Sequence, residues 1–264
     1  MSKENLRMHK MMQKLKRKKE QEKYFKPKAA GGASSRKLSR PDPANPRVER
    51  VIASDIDLVV IVVSVAAPPL RPGLIDRYLI AAERGGAEAL ICVNKIDLLT
   101  DKVELSVLDC YRSLAIPVLG CSTVTGAGID ELSHLLAGKA CVFTGHSGVG
   151  KSSVLNALLP GASAHTGDVS EVNGKGRHTT TSTTTYTLPN GAKILDTPGI
   201  RQFGLWQVTA KELRLYFHEF EAYRCRFSDC SHAHEAGCGV KDAAERGAFA
   251  RSRYDAYLRI LSTL

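Results

Sequence analysis

Short apolar runs alternate with segments of helical spacing from residue 51 to about residue 196. Residues 58–65 form an almost unbroken β-branched run, which is typical of a strand covered on both faces. Residues 72–84 have helical spacing and end at Gly85-Gly86, a helix stop signal. Repeated alternation of this kind predicts an α/β fold with a mostly parallel sheet and helices on both faces.

The same pattern predicts the remaining elements. Strands are expected at residues 89–93, 116–121, 140–144, near 182–188 and at 193–196. Helices are expected near 101–114, at 129–136 and 151–159, and, after a change of composition near residue 203, at 209–223 and near 240–264. Three parts follow: an N-terminal arm at 1–46, an α/β domain at 47–203 and a small helical domain at 204–264. The last part is too short for a large core of its own, so we expect a covalent cross-link or a bound metal ion to stabilise it.

The net charge of +10 is concentrated at the N-terminus. Residues 1–40 hold 14 Lys/Arg against 3 Asp/Glu, whereas the remaining residues hold 23 against 24. The apolar positions of this basic arm are too few to define a core-facing stripe, so we expect it to be flexible. The chain has no apolar run that could span a membrane and no signal-peptide core, which favours a cytoplasmic location.

The strongest motif is G-x-x-x-x-G-K-S, placed between a predicted strand and a predicted helix. Glycines there let backbone N–H groups surround phosphates at the positive end of the helix. Lys151 would reach the β- and γ-phosphates, and the Ser152 hydroxyl would bind Mg²⁺. The residues expected to contact the nucleotide phosphates are Gly145, His146, Ser147, Gly148, Val149, Gly150, Lys151, Ser152 and Ser153.

A second motif, Asn94-Lys95-Ile96-Asp97, ends a predicted strand, where ligands of open α/β sheets bind. The Asp97 carboxylate can accept hydrogen bonds from N1–H and the exocyclic amine of guanine, whereas adenine has no N1–H. The motif therefore predicts a guanine nucleotide, GTP or GDP. Ser122, after the strand at 116–121, is a candidate backbone support for the base, although a simple turn explains it nearly as well.

The order of the motifs is reversed relative to ordinary small GTPases, in which the phosphate loop comes first. Here the guanine motif precedes the phosphate loop, and the run Asp196-Thr197-Pro198-Gly199 follows it. This order predicts a circularly permuted P-loop GTPase domain. Asp196 would hold Mg²⁺ through water, and the Gly199 N–H would sense the γ-phosphate.

The residue that orients the attacking water is not obvious. Ras-like enzymes have a glutamine directly after the switch glycine, but Ile200 occupies that position and cannot form hydrogen bonds. His178, which opens the run His178-Thr179-Thr180-Thr181, is the candidate catalytic substitute, and Thr180 is the candidate that completes the Mg²⁺ shell. A solvated loop histidine is the alternative interpretation of His178.

The C-terminal part contains Cys225-x4-Cys230-x-His232-x5-Cys238, three thiols and one imidazole within 14 residues. Such a set is typical of a closed structural Zn²⁺ site. A redox pair or scattered buried cysteines are the rival interpretations, and His234 competes with His232 as the fourth ligand. Seven cysteines in a chain without an export signal also favour reduced thiols or metal ligands over disulfides.

Together these residues resemble the circularly permuted, small-ribosomal-subunit-dependent GTPases of the RsgA family. The resemblance covers about residues 38–264 and also rests on Pro41-Asp42-Pro43-Ala44-Asn45, on the run at 71–78 and on Phe203-Gly204-Leu205-Trp206. It implies GTP hydrolysis stimulated by the small ribosomal subunit and a role in late maturation of that subunit, with hydrolysis timing release. It also implies zinc at Cys225, Cys230, His232 and Cys238 and favours His178 as the hydrolytic residue.

One departure concerns the N-terminus, because the family normally carries an OB-fold barrel before the G domain and 46 residues are too few for one. We expect the basic arm to bind rRNA through phosphate neutralisation instead; a solvated tail or a shortened barrel fragment are the alternatives. We expect a monomer. The competing functions are a nucleotide-gated rRNA-binding scaffold with negligible hydrolysis and, less well supported by the guanine motif, a P-loop kinase.

Overall fold

A computed structural model of the chain describes residues 36–99, 102–159, 184–196 and 205–264. Six strands form one sheet with the spatial order β5-β4-β3-β6-β8-β7. They are β3 (Leu58–Ser64), β4 (Glu88–Asn94), β5 (Val118–Gly120), β6 (Ala140–Thr144), β7 (Thr184–Thr187) and β8 (Lys193–Asp196). Only β7 runs antiparallel to its neighbour, so the predicted mostly parallel sheet is confirmed.

The phosphate-loop strand β6 lies inside the sheet, between strands from both sides of it in the sequence. The strands that precede it, β3, β4 and β5, lie on one side, and β8 and β7, which follow it, lie on the other. The carboxyl ends of β4 and β6 flank that of β3, in which Ser64 pairs with Asn94. The guanine motif and the phosphate loop therefore emerge from the same edge of the sheet.

Alternate residues of the central strands face two separate cores. Val59, Ile61 and Val63 of β3 pack in one core with α1 (Pro72–Arg84) and α2 (Asp109–Ser113). The residues between them pack in the other core with α3 (Ile129–Leu136) and α4 (Lys151–Leu158). Every residue of β3 is buried, which explains why this strand has no polar face.

A short antiparallel hairpin precedes the sheet, formed by β1 (Lys37–Pro41) and β2 (Glu49–Ser54). Leu38 is only 1% exposed, and the backbone N–H of Lys37 donates to the Gly85 carbonyl at 3.2 Å. A Cβ at Gly85 would lie 2.1 Å from the Lys37 carbonyl oxygen, so only glycine allows this contact. Residues 36–46 thus differ from the predicted arm, because one buried leucine and a paired strand anchor them. Residues 1–35 lie outside the described part.

Several helices are shorter than the sequence pattern predicted. Residues 102–108 form a 3₁₀ helix before α2, and residues 209–223 form α5 (Ala210–Leu213) followed by two 3₁₀ segments. The last predicted helix is two helices, α6 (Gly239–Glu245) and α7 (Arg251–Leu261), separated near Gly247, which has a φ of +69°. Within the described ranges, no helix is long and apolar enough to cross a membrane.

Arg253 of α7 joins the C-terminal helices to the α/β domain through buried ion pairs. It donates through Nη1 to Oδ1 of Asp76 in α1 and through Nε to Oε1 of Glu219 at 2.6 Å, and Nη2 donates to the second Glu219 oxygen at 3.1 Å. The Tyr111 hydroxyl donates to Asp76 at 3.0 Å, and the guanidinium lies 4.4 Å from the centre of the Phe217 ring. Asp76 and Arg253 are 1% and 4% exposed, respectively, so each charge depends on the other for solvation.

Replacing Arg253 by methionine is expected to destabilise the fold by about 3–5 kcal/mol, because Asp76 and Glu219 lose their buried cation. Urea unfolding of the full chain measures the change. Arg251→Met is the matched control on the same helix, since Arg251 pairs with Asp255 at the surface, and it is expected to leave the unfolding midpoint unchanged. Equal midpoints for both variants would show that the ion pairs do not hold the domains together.

Candidate functional site

The phosphate loop leaves β6 at Gly145 and enters α4 at Lys151. Gly145, Gly148 and Gly150 all have positive φ angles. A Cβ at Gly145 would lie 2.1 Å from the Val62 carbonyl oxygen, and one at Gly150 would lie 2.3 Å from Nδ2 of Asn94. Glycine is therefore favoured in this loop for two reasons. The backbone has positive φ angles, and it lies in close contact with β3 and with the guanine motif.

Lys151 lies over the loop at the N-terminal end of α4. Its Nζ donates to the carbonyl oxygens of Gly145 and His146 at 2.8 and 2.9 Å. Ser152 follows in the first helical turn, so an ammonium, a hydroxyl and the positive helix end share one location. These donors fit a nucleotide phosphate with Mg²⁺ on the Ser152 hydroxyl. Ser153 is exposed in the same turn.

The guanine motif is tied to the phosphate loop by two side chains. Asn94, which is 1% exposed, donates from Nδ2 to the Val149 carbonyl at 3.0 Å. Lys95 has a φ of +63° and donates from Nζ to the Gly148 carbonyl at 2.9 Å and to the Ala67 carbonyl. The two motifs therefore form one continuous site, although 47 residues lie between Asp97 and Gly145 in the sequence.

Ser122 orients the carboxylate that would read guanine. Its hydroxyl accepts from the backbone N–H groups of Val124 and Thr125 at 3.2 and 3.1 Å. The hydroxyl proton is therefore directed to Oδ1 of Asp97, at 2.5 Å. Asp97 is itself exposed, so its other oxygen is free to meet a base. Ile96 contributes its backbone N–H to the Cys121 carbonyl at 3.2 Å, which positions the strand-end turn.

Two thiols beneath this site were not recognised in the sequence as neighbours. The Sγ atoms of Cys92 and Cys121 lie 3.3 Å apart, both fully buried, and Cys121 Sγ lies 3.7 Å from Oδ1 of Asn94. A hydrogen bond with Cys121, together with burial, raises the pKa of Cys92. The sequence signal for this contact is that Cys92 lies two residues before Asn94 and Cys121 lies one residue before Ser122, at the ends of two strands that lead to the same site.

The remaining predicted catalytic residues follow the phosphate loop. Asp196 ends β8, which runs parallel to β6 with Leu195 opposite Val142, so its backbone reaches the nucleotide edge of the sheet. His178, Thr180 and Gly199 lie outside the described residues, as does Ile200.

Cys225, Cys230, His232 and Cys238 form one cluster whose ligand atoms lie within 4.8 Å of one another. Cys225 Sγ lies 3.8 Å from Cys238 Sγ, and these two sulfurs lie 3.4 and 3.5 Å from Nδ1 of His232. A tetrahedral Zn²⁺ with ordinary bond lengths needs sulfur–sulfur distances of about 3.8 Å and sulfur–nitrogen distances of about 3.5 Å. The cluster therefore fits zinc, and His234 is exposed outside it.

The surroundings of the cluster suit a metal ligand set. Burial lowers the pKa of His232, which favours the neutral imidazole that binds metals. Burial raises the pKa of Cys238, and the backbone N–H of Lys241, which donates to Cys238 Sγ at 3.3 Å, partly offsets this effect. The hydroxyls of Tyr254 and Tyr257 donate to the carbonyls of His232 and Ser231 at 2.7 and 2.6 Å. Helix α7 thus carries both the cluster support and Arg253.

Comparison with known proteins agrees with this arrangement of strands and motifs. Residues 33–206 match the family model described as RsgA GTPase. The chain belongs to the RsgA GTPase family. The match includes the hairpin, the guanine motif and the phosphate loop in the permuted order that the sheet shows.

Two curated family members show the extent of the similarity. The protein from Haemophilus influenzae (strain 86-028NP) is 40% identical over 232 residues, which cover 86% of this chain and 66% of the relative. The protein from Chlorobaculum tepidum is 44% identical over 218 residues, covering 82% and 70%. Both are named small ribosomal subunit biogenesis GTPase RsgA. The chain thus spans about two thirds of the length of these family members.

Two solved structures share the fold. YjeQ from Thermotoga maritima is 33% identical, with a TM-score of 0.68 over 88% of this chain and 83% of that one. YloQ, described as a circularly permuted GTPase, is 23% identical, with a TM-score of 0.62 over 91% and 83%. The similarity to YloQ concerns the fold alone, and it agrees with the permuted order of the strands.

Replacing Ser122 by alanine is expected to raise the Kd for GDP roughly tenfold, because Asp97 loses the donor that orients it. The weak affinity for ADP is expected to stay unchanged, since adenine does not use that carboxylate. Titration calorimetry with both nucleotides measures the effect, and the neighbouring Thr123→Ala variant is the control. Equal losses for GDP and ADP would mean that Ser122 supports the loop and not the base.

Replacing His232 by alanine is expected to abolish metal binding, whereas His234→Ala is expected to retain one zinc per chain. The reason is that His232, unlike the exposed His234, places a ring nitrogen within 4.8 Å of the three thiols. Elemental analysis after dialysis measures the zinc content, and circular dichroism reports the fold. Retention of zinc by His232→Ala and its loss in His234→Ala would reverse the ligand assignment.

Proposed function

We propose that this chain binds GTP and GDP and hydrolyses GTP to GDP and phosphate. The observation that supports this most directly is the pair of hydrogen bonds from Asn94 and Lys95 to the phosphate loop. They join a base-reading carboxylate and a phosphate-binding loop in one pocket. A general P-loop kinase has no need of this connection, and family membership points the same way.

Each part of the pocket has a role in this reaction. Backbone N–H groups of the loop bind the phosphates, Lys151 neutralises β- and γ-oxygens, and Asp97 selects guanine. Mg²⁺, when bound, would supply positive charge that offsets the charge of the phosphates. Ser152 would hold it directly, with Asp196 acting through water.

The residues around the γ-phosphate complete the proposal. Thr180 would complete the Mg²⁺ shell, and the Gly199 N–H would meet the γ-phosphate. His178 would orient the attacking water, because Ile200 occupies the place where Ras-like enzymes have glutamine and cannot form hydrogen bonds.

We further propose that the partner is the small ribosomal subunit, including its rRNA, in the cytoplasm. The relatives' printed name, small ribosomal subunit biogenesis GTPase, supports this. Hydrolysis stimulated by the subunit would time the release of the protein, which acts as a monomer during late maturation. The Cys/His cluster would bind one structural Zn²⁺ and so fold the C-terminal domain, residues 204–264.

The basic arm is the proposed rRNA contact of the N-terminal part. Residues 1–35 hold 11 Lys/Arg against 3 Asp/Glu. Arg36 and Lys37, in contrast, already pair with Asp57 and Glu49 at 2.6 and 2.8 Å. We therefore place the end of the arm at residue 35 and assign the hairpin to the GTPase domain, which extends to residue 203.

The catalytic proposal is tested by GTP turnover with and without small ribosomal subunits. The His178→Ala variant is expected to lower subunit-stimulated turnover by roughly 10²–10⁴ while GTP affinity stays the same. His134→Ala, an exposed histidine at the end of α3, is the control. Unchanged turnover in His178→Ala would remove its catalytic role. Wild-type protein that binds subunits without turnover would indicate a nucleotide-gated scaffold.

Deleting residues 1–35 is expected to weaken subunit binding most strongly at low salt, because each phosphate that a basic residue meets releases counterions. If the arm meets about 8 phosphates, it contributes about −6 to −7 to the slope of log K against log salt. This deletion spares β1, so the hairpin stays intact. Subunit binding is measured across a salt series for the full chain and for the variant without residues 1–35. Equal slopes for these two proteins would reject the arm as an RNA contact.

A further inference from the structure

A surface cleft separates the N-terminal end of α1 from helix α7 of the C-terminal domain. Its volume is about 740 Å³, and its polar lining consists of Arg71, Arg77, His146, Arg259, Ser262 and Thr263. We call it the arginine cleft. It belongs to neither the nucleotide pocket nor the Cys/His cluster, but His146 of the phosphate loop forms part of its wall.

Among the described residues, the three arginines of the cleft have no carboxylate partner. The ion pairs of the described residues involve other arginines, among them Arg253 with Asp76 and Arg36 with Asp57. Arg77 donates from Nη2 to the neutral Thr263 hydroxyl at 2.8 Å, and partial burial lowers its pKa. A partly desolvated guanidinium without an anion is unfavourable, so a ligand that supplies negative charge is favoured here.

The backbone adds to the positive potential of the cleft. Helix α1 begins at Pro72 without a side-chain cap, so the partial positive charge of its first turn faces the same region. A Cβ at Gly73 would lie 3.0 Å from Nη2 of Arg259, which shows how closely this guanidinium approaches the helix end. A cation beside a helix N-terminus is repelled unless an anion lies between them.

We infer that the arginine cleft binds the phosphate backbone of RNA. The inference rests on the proposed function, which supplies rRNA as the partner. Planar guanidinium groups match phosphate oxygens in bidentate contacts. Arg71 directly precedes α1, Arg77 lies within α1 and Arg259 lies in α7. Because the three come from different places, they can meet successive phosphates of a chain more readily than one small anion. Ser262 and Thr263 offer hydroxyl donors beside them, as sugar–phosphate contacts commonly use.

The position of the cleft also suits a ribosome-dependent GTPase. RNA bound there would lie against His146, whose carbonyl accepts from Lys151 in the nucleotide pocket. It would also span the junction of the two domains that Arg253 holds together. The cleft therefore binds RNA directly beside the phosphate loop, apart from the N-terminal arm.

The test replaces Arg71, Arg77 and Arg259 together by glutamine in the full chain. Binding of a short oligouridylate is followed by fluorescence anisotropy across a salt series. Loss of three phosphate contacts is expected to make the slope of log K against log salt shallower by about 2 and to weaken binding at least about tenfold at low salt. A triple lysine variant keeps the charge and is expected to keep the slope.

The matched control removes the same charge elsewhere, with Arg47, Arg224 and Arg246 changed to glutamine. These side chains are exposed and lie outside the cleft, so affinity is expected to fall much less. Zinc content and GDP affinity confirm that each variant is folded. An unchanged slope in the first variant would overturn the inference. Binding of polyglutamate is measured in the same way. If the cleft variant loses as much affinity for polyglutamate as for oligouridylate, the inference is also overturned, because the cleft would then be a general anion site.

Small-subunit binding separates this inference from the proposed function. If the wild-type chain binds subunits and the cleft variant binds them equally well with the same slope, the cleft is not an RNA site and the proposed function stands. If the wild-type chain does not bind subunits at all, the proposed function fails. The oligouridylate result then decides the cleft by itself.

Discussion

The docking of the C-terminal helices on α1 centres on one buried cation. Arg253 forms ion pairs with Asp76 of the α/β domain and with Glu219 of the C-terminal part, and its guanidinium lies over the Phe217 ring. An ion pair of this kind contributes little net stability compared with an apolar replacement, and it lies within an apolar core that α1 shares with the C-terminal helices. That docking places Arg259 at the start of α1 and so creates the arginine cleft.

Single residues of the nucleotide pocket also link separate parts of the structure. Lys95 serves as a structural brace as well as a member of the guanine motif, since its ammonium is held by carbonyls of the phosphate loop and of the segment after β3. Ser122 has a single proton to donate and directs it to Asp97. Base recognition and phosphate binding are therefore not independent modules, because a shift in either motif breaks hydrogen bonds in the other.

The sequence pattern was sufficient for the features that depend on local regularity. The buried strand β3, helices α1 and α3, the phosphate loop and the three cysteines of the Cys/His cluster follow from spacing and residue type. Spacing alone left His232 and His234 as competitors, and the structure brings His232 to the three cysteines. The hairpin strand β1 was missed because it carries a single buried residue, Leu38, and a basic composition typical of a tail. The Asp76–Arg253 pair was also missed, since nothing local marks two charges 177 residues apart as partners.

The separation of Asp76 and Arg253 along the chain affects when the two residues can pair during synthesis. During synthesis α1 and the guanine-motif strand leave the ribosome well before α7, so Asp76 has no Arg253 partner until α7 has emerged. The contact between α1 and α7 therefore cannot form before the C-terminal helices are available. A chain that stalls before residue 253 leaves Asp76 without its buried cation.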